Sequence, residues 1–211
     1  MKKILFALLL LPMCSNAQIE VGVNDGITPF KLINTYQSDN HLPVKTNGIY
    51  DLSISYKIRS IKLGVGYSDT KLSYASVKPR TPVYYQGSGY SYAQPISNIY
   101  LYADHENNIG RSSFYEGLSV GYVTGTASVY HLSDINPVPN TNYKVDGVSV
   151  GAHIGYTYNV WKGICINAQA GATYMSTNLH GDKYSPNATS TLFCFPMTAG
   201  IHYKLPSFRK K

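Results

Sequence analysis

The chain has 211 residues and a formal net charge of +7, with 14% charged residues and an excess of tyrosine, 20 in all. After residue 17 no apolar run approaches the about 20 residues that a membrane-spanning helix needs, which excludes a helical membrane protein. Three cysteines without a Cys-x-x-Cys pair or a Cys/His cluster exclude a disulfide scaffold and a zinc module.

The first element is a leader. Met1-Lys2-Lys3 precedes the apolar run 4–11, and Pro12-Met13-Cys14-Ser15-Asn16-Ala17-Gln18 follows. A positive start, an apolar middle and small residues before the cut are the order of a secretory signal peptide. Ser15 and Ala17 suit a cut before Gln18, so 1–17 is read as the signal peptide and 18–211 as one exported domain. Cys14 follows Pro12 and Met13, neither of them small, which argues against an acylated lipoprotein cysteine. Removing Lys2 and Lys3 lowers the charge from +7 to +5. An exported basic chain meets anionic headgroups, and no nucleic-acid partner is expected.

Strict alternation of apolar and polar residues then recurs, the period of a strand. Ile19, Val21 and Val23 open it; Tyr50, Leu52, Ile54, Tyr56 and Ile58 form the second segment and Ile61, Leu63, Val65 and Tyr67 the third. Ile99, Leu101 and Ala103 alternate with Asn98, Tyr100, Tyr102 and Asp104. Leu118, Val120 and Tyr122 carry the fifth segment, Val148 to Tyr158 the sixth, Ile164 to Tyr174 the seventh and Phe193 to Leu205 the eighth. Each is near the length of a tilted membrane-crossing strand, about 9–11 residues.

A soluble sandwich also alternates, but here the second face is Gly, Ser, Thr, Asn and a few charges, while the apolar face is continuous with tyrosines at its ends. That is the pattern of a barrel with lipid outside and polar groups inside. The connections alternate in length as well. Long ones are expected near 30–46, 76–93, 130–142 and 178–188, and short ones at Arg59-Ser60, 106–110 and 160–162. Short periplasmic turns and long outer loops are the rule in such barrels. The expected fold is all-β: an eight-stranded antiparallel up-and-down transmembrane β-barrel.

With the Ser15-Asn16-Ala17-Gln18 cut site, the eight segments and the closing Ala199-Gly200-Ile201-His202-Tyr203-Lys204-Leu205, the chain resembles the small outer-membrane barrels of the OmpA/OmpX type, and more closely the outer-membrane β-barrel domain proteins of Bacteroidetes. The resemblance covers the whole mature chain and implies an outer-membrane location, outer-membrane lipid as the solvent and the barrel-assembly machinery as a partner. Members typically end on an aromatic residue that this machinery reads. Here Pro206 to Lys211 follow the last strand, leaving Tyr203 or Phe208 for that role.

Among groups that could carry chemistry, Glu20, Lys57, Lys62, Asp104 and Lys204 fall on inward positions near the periplasmic end, with His202 one step above Lys204. They are expected to form a charge network closing that mouth or, more simply, the polar lining of a wet rim. His131-Leu132-Ser133 has the spacing of a His-x-Ser pair in barrel lipid A deacylases, with Asp134 or Asp146 as the acid. The continuation after Ser133 departs from that motif, so no catalytic residue is assigned. His153 is a mid-strand lining residue. Cys165 and Cys194 are placed at opposite ends of neighbouring strands, which predicts two free thiols. Tyr84, Tyr85, Tyr90 and Tyr92, interleaved with Gly and Ser, have the composition of an adaptable binding surface or of a ribbon prolonging the third and fourth strands.

Neither cofactor nor metal is indicated, and the extracellular ligand is not legible. About eight strands leave an interior filled by side chains, which argues against free passage of solutes. The reading is therefore a non-enzymatic barrel with a structural, adhesive or ligand-binding role through its long loops. A lipid A-modifying enzyme or a narrow gated channel are the alternatives.

Overall fold

The computed structural model describes residues 17–34, 45–77, 89–132, 141–180 and 188–205. These form β1 (Ala17–Asn34), β2 (Lys45–Ile58), β3 (Ile61–Val77), β4 (Gly89–Ile109), β5 (Ser112–Leu132), β6 (Thr141–Trp161), β7 (Ile164–His180), β8 (Ala188–Cys194) and β9 (Met197–Lys204). From β1 to β7 each strand pairs antiparallel with its sequence neighbour, and β8 and β9 both pair with β7 on one side and β1 on the other, which closes the sheet. The first strand starts at Ala17, one residue before the expected cut.

The eighth wall strand is divided into β8 and β9 at Phe195 and Pro196. Pro196 has no N–H to donate to the ladder. The register does not slip across it: Cys194 faces Thr173 and Met197 faces Ala170. Phe195 N–H still donates to the Pro29 carbonyl at 2.8 Å, and Pro196 accepts from Gly171 N–H at 2.9 Å. Nine assigned strands thus make eight barrel walls.

Following partners once around the barrel runs from Val21 through Ile54, Val65, Leu101, Val120, Val150, Tyr174 and Phe193 back to Lys31. The return lands ten residues beyond the start, from 21 to 31. A stagger of this size goes with strands tilted by about 40° to the barrel axis.

The period of two decides the faces. Val21, Val23, Ile54, Val65, Leu101, Val120, Val150 and Ile201 point outward and are exposed, Leu101 by 59% and Ile201 by 62%. Phe114, Tyr158, Trp161 and Tyr203 flank this belt toward the short turns, and Tyr50, Tyr67, Tyr122 and Tyr174 lie toward the other end. Aromatic girdles at both edges of an apolar band are the lipid-facing surface of an outer-membrane barrel. Among the described residues no helix is long and apolar enough to cross a membrane.

Strands exceed the expected lengths because pairing continues past the apolar belt. At the short-turn end, β4 runs to Ile109 and the turn is Gly110-Arg111, not 106–110. Likewise β6 runs through Trp161, and the turn is Lys162-Gly163. Both Lys162 and Gly163 have positive φ, 39° and 88°, as a type I′ hairpin requires.

At the other end Val77 pairs with Tyr90, Tyr74 with Tyr92, and Gly89 with Leu132. Tyr90 and Tyr92 therefore belong to the β4 backbone, in the ribbon that prolongs the third and fourth strands. Tyr84 and Tyr85 lie outside the described residues.

Cys165 pairs with His202, and Cys194 pairs with Thr173. Both thiols are free. Eight residues along β7 separate the two levels, about 26 Å of strand, far beyond the about 7 Å Cα separation that a disulfide allows. Alkylation after denaturation is expected to label both cysteines without prior reduction. An intramolecular 165–194 bridge in the mass spectrum would contradict this register.

Candidate functional site

The inward face holds the polar chemistry. Strand parity sends Glu20 and Asn24 of β1, Asp51 and Lys57 of β2, Lys62 of β3, and Asp104 and Glu106 of β4 into the lumen. Tyr115 of β5, His153 of β6, Asn167 of β7, and His202 and Lys204 of β9 join them. Glu20, Lys62, Asp104 and Glu106 are each no more than 3% exposed.

All six residues singled out in the sequence converge in the half of the barrel toward the short turns. Lys62 Nζ lies 3.6 Å from Glu20 and 3.2 Å from Asp104. Lys204 Nζ lies 3.6 Å from Glu20 and 3.4 Å from Glu106, and His202 Nδ1 lies 2.6 Å from Glu20 Oε1. Lys57 and Lys62 are direct cross-strand partners on one face. Like charges so placed repel, and the two ammoniums diverge: Lys57 turns to Glu106 at 2.7 Å and Asn108 at 3.1 Å, and Lys62 to Glu20 and Asp104. Lys62 also sits 4.4 Å from the centre of the Tyr115 ring, a cation–π contact.

Glu106 is a member that the sequence reading missed. Read as part of a turn, it had no assigned face; β4 continues to Ile109 and its parity turns Glu106 inward to join Lys57 to Lys204. His153, read as an isolated lining residue, meets Asp104 Oδ1 through Nε2 at 2.8 Å. Tyr115 also went unassigned. Its hydroxyl donates to Asn167 Oδ1 at 2.8 Å and lies 3.1 Å from Gln169 Oε1. The signal that could have found both was the same alternation, extended past the segment ends.

Large inward rings are accommodated by glycines on neighbouring strands. A Cβ on Gly66 would lie 2.2 Å from Tyr100, one on Gly64 2.4 Å from Tyr102, and one on Gly155 2.1 Å from Tyr115. The tyrosines lie flat across these strands and fill the lumen, so the glycines in the polar face serve packing.

Toward the long-loop end the lining changes character. Ile96, Val123, Met175, Leu192 and Cys194 are buried inward and form one apolar cluster. A cavity of about 60 Å³, bordered by Asp51, Asn98, Tyr100 and His153 on one side and Ile96, Met175 and Cys194 on the other, separates this cluster from the charged layer. Burial pushes the polar groups of the lining into mutual hydrogen bonds: Asn24 Nδ2 donates to Asp51 at 3.1 Å, Ser149 to Asn98 at 2.9 Å, and the Tyr100 hydroxyl to Asp51.

His131 stands in β5 opposite Tyr90, and Ser133 and Asp134 lie outside the described residues. Asp146, the other acid considered for a catalytic set, is paired with His180. Among the described residues no group of three or more His, Cys, Asp or Glu could hold a metal ion.

Comparison of the sequence with family models and with curated proteins gives no match. The backbone does. It is similar to Neisserial surface protein A, with a TM-score of 0.54 and 14% identity over 90% of this chain and 99% of that one. The fold is that of a small outer-membrane β-barrel. A major outer membrane protein from Thermus thermophilus is similar to the same degree, with a TM-score of 0.53 and 10% identity over 90% and 99% of the two chains. At such identities the likeness extends to the barrel and its closure; the lumen residues described above are this chain's own.

Proposed function

We propose that this protein is a non-enzymatic outer-membrane barrel with an occluded lumen, acting through its long extracellular loops in a structural, adhesive or ligand-binding role. The observation that carries this reading is the filled interior: an ion-pair layer toward the short turns and an apolar layer, Ile96 to Leu192, toward the long loops. With the core occupied by structure, the surface available for recognition is the end where β3, β4 and β5 are prolonged beyond the belt. The apolar belt and its aromatic edges support an outer-membrane location, with membrane lipid around the barrel and the barrel-assembly machinery inserting it.

In planar bilayers the purified protein is expected to carry no steady current. A steady current would favour the channel, and one in Lys62→Ala alone would make Lys62 its gate. Removal of residues 78–88 is expected to leave heat-modifiable migration intact while abolishing attachment of protein-bearing cells to surfaces or host cells. Unchanged attachment would move recognition away from this loop. Unchanged lipid A mass spectra with and without the protein are expected; a lost acyl chain would overturn the non-enzymatic reading.

A further inference from the structure

We infer that the chamber between the two lumen layers is a binding site for a small cluster of water, which partners the Thr28 hydroxyl and donates to the Gly171 carbonyl that Pro196 leaves without its ladder bond.

The first observation is a gap in the hydrogen bonding of the wall itself. Pro196 stands opposite Gly171, between the pairs Ala170–Met197 and Thr173–Cys194. A hydrogen-bonded pair in an antiparallel ladder exchanges two bonds, one in each direction. Gly171 N–H donates to the Pro196 carbonyl at 2.9 Å. The return bond, to the Gly171 carbonyl, has no donor, because proline has no N–H. A backbone carbonyl left unmet away from bulk solvent is costly. Gly171 has no side chain to cover its backbone, and it borders the chamber.

The second observation is an orphaned hydroxyl. On its other side Pro196 stands opposite Thr28, between the pairs Ile27–Met197 and Phe30–Cys194. Thr28, Pro196 and Gly171 thus form one row across three walls, and all three border the chamber. Thr28 is 1% exposed, and its Oγ1 makes no hydrogen bond among the described residues. A hydroxyl shut away from solvent without a partner is costly.

The chamber suits water. Its volume is about 60 Å³, and one buried water needs about 10–15 Å³, so it has room for about four. Cavities that stay dry are lined by apolar groups. This one is apolar only toward Ile96, Met175 and Cys194, while Ser119, Gln169, Thr173 and Thr198 offer the several polar partners that each water requires. Thr28 and Gly171 lie two strand spacings apart, about 9–10 Å between their backbones. One water cannot serve both, and a chain of two or more can. The ion-pair layer and the apolar layer hold the cluster in place. That retention rests on the occluded lumen proposed above; the two unmet groups do not.

The test is water–protein cross-relaxation NMR on the full mature barrel in micelles, read at the Gly171 α-protons and the Thr28 amide proton. Both are expected to show cross-peaks of the sign given by long-lived water. Missing cross-peaks at either site mean a dry wall and overturn the inference. Water in transit through an open lumen gives the opposite sign, which also overturns the bound cluster; a steady bilayer current would show separately that the occluded lumen had failed. Thr28→Val keeps the shape and removes the hydroxyl. It is expected to lower the temperature of the heat-modifiable transition by a few degrees, whereas an unchanged or raised temperature would mean that the hydroxyl has no water to lose. Pro196→Ala supplies the missing N–H to the Gly171 carbonyl and is expected to weaken the Gly171 cross-peak by roughly half. An unchanged cross-peak there overturns the repair of the ladder. If either variant does not fold, the wild-type cross-peaks decide.

Discussion

Lys62→Ala is expected to destabilise the barrel by about 3–5 kcal/mol, the cost of removing one partner from a buried ion pair. Among the described residues Lys62 is the only lysine or arginine within 4 Å of Asp104, and it also holds Glu20 and rests on the Tyr115 ring. Its loss leaves Asp104 with His153 alone and Glu20 with Lys204 and His202, in a lumen where each carboxylate is no more than 3% exposed, so the weakened compensation of buried charge outweighs the lost methylene packing. Urea titration in micelles, followed by heat-modifiable migration, measures it. The exposed Lys162, which covers Trp161 at 4.9 Å on the outer surface, supplies the control, since Lys162→Ala removes a solvent-facing contact worth about 0.5–1 kcal/mol. Equal effects of the two substitutions would mean that the lumen charges are hydrated and independent.

Gly155→Ala is expected to cost about 1–3 kcal/mol, the range for overpacking a filled core. The new methyl would stand 2.1 Å from Tyr115 Cζ and 2.3 Å from its hydroxyl oxygen. The ring cannot simply swing aside, because its hydroxyl is bonded to Asn167 and its face is covered by Lys62. Moving it breaks both contacts. Gly48→Ala is the matched control: its nearest neighbour is the Gly26 carbonyl oxygen at 4.0 Å, and a change within about 0.5 kcal/mol is expected. A Gly155→Ala barrel as stable as wild type would show that Tyr115 has a second rotamer of equal quality and that the glycine is not required by the ring.

Reading the chain by period two placed every described wall strand and its outward face, because alternation is imposed by the backbone itself and needs no partner. Val21, Leu101, Val120 and Ile201 could be assigned to the outer face from spacing alone, and their exposure agrees. The same parity collected Glu20, Lys57, Lys62, Asp104, His202 and Lys204 on the inner face. It stopped short at the ends of strands, where the pattern is interrupted: the polar run Glu106 to Asn108 reads like a turn, and only pairing with Phe114, Ser113 and Tyr115 across the β4–β5 ladder keeps it extended. Glu106 was lost to the charge network for that reason.

What the sequence by itself determined is the kind of object: eight membrane-length strands, a polar inside, an apolar outside, and long connections at one end. These follow from local alternation and from the identity of turn residues, which act over a few positions. Tertiary structure alone decided who meets whom. The ten-residue stagger brings Glu106 of β4 to Lys204 of β9, 98 positions along the chain, and Asn24 to His202, 178 positions away. It also stacks Ile96, Val123, Met175 and Leu192 into one apolar layer. Such partners are fixed by the closure of the whole sheet, so no window of the sequence contains the information, and the balance of charge in the lumen becomes countable only once the barrel has closed.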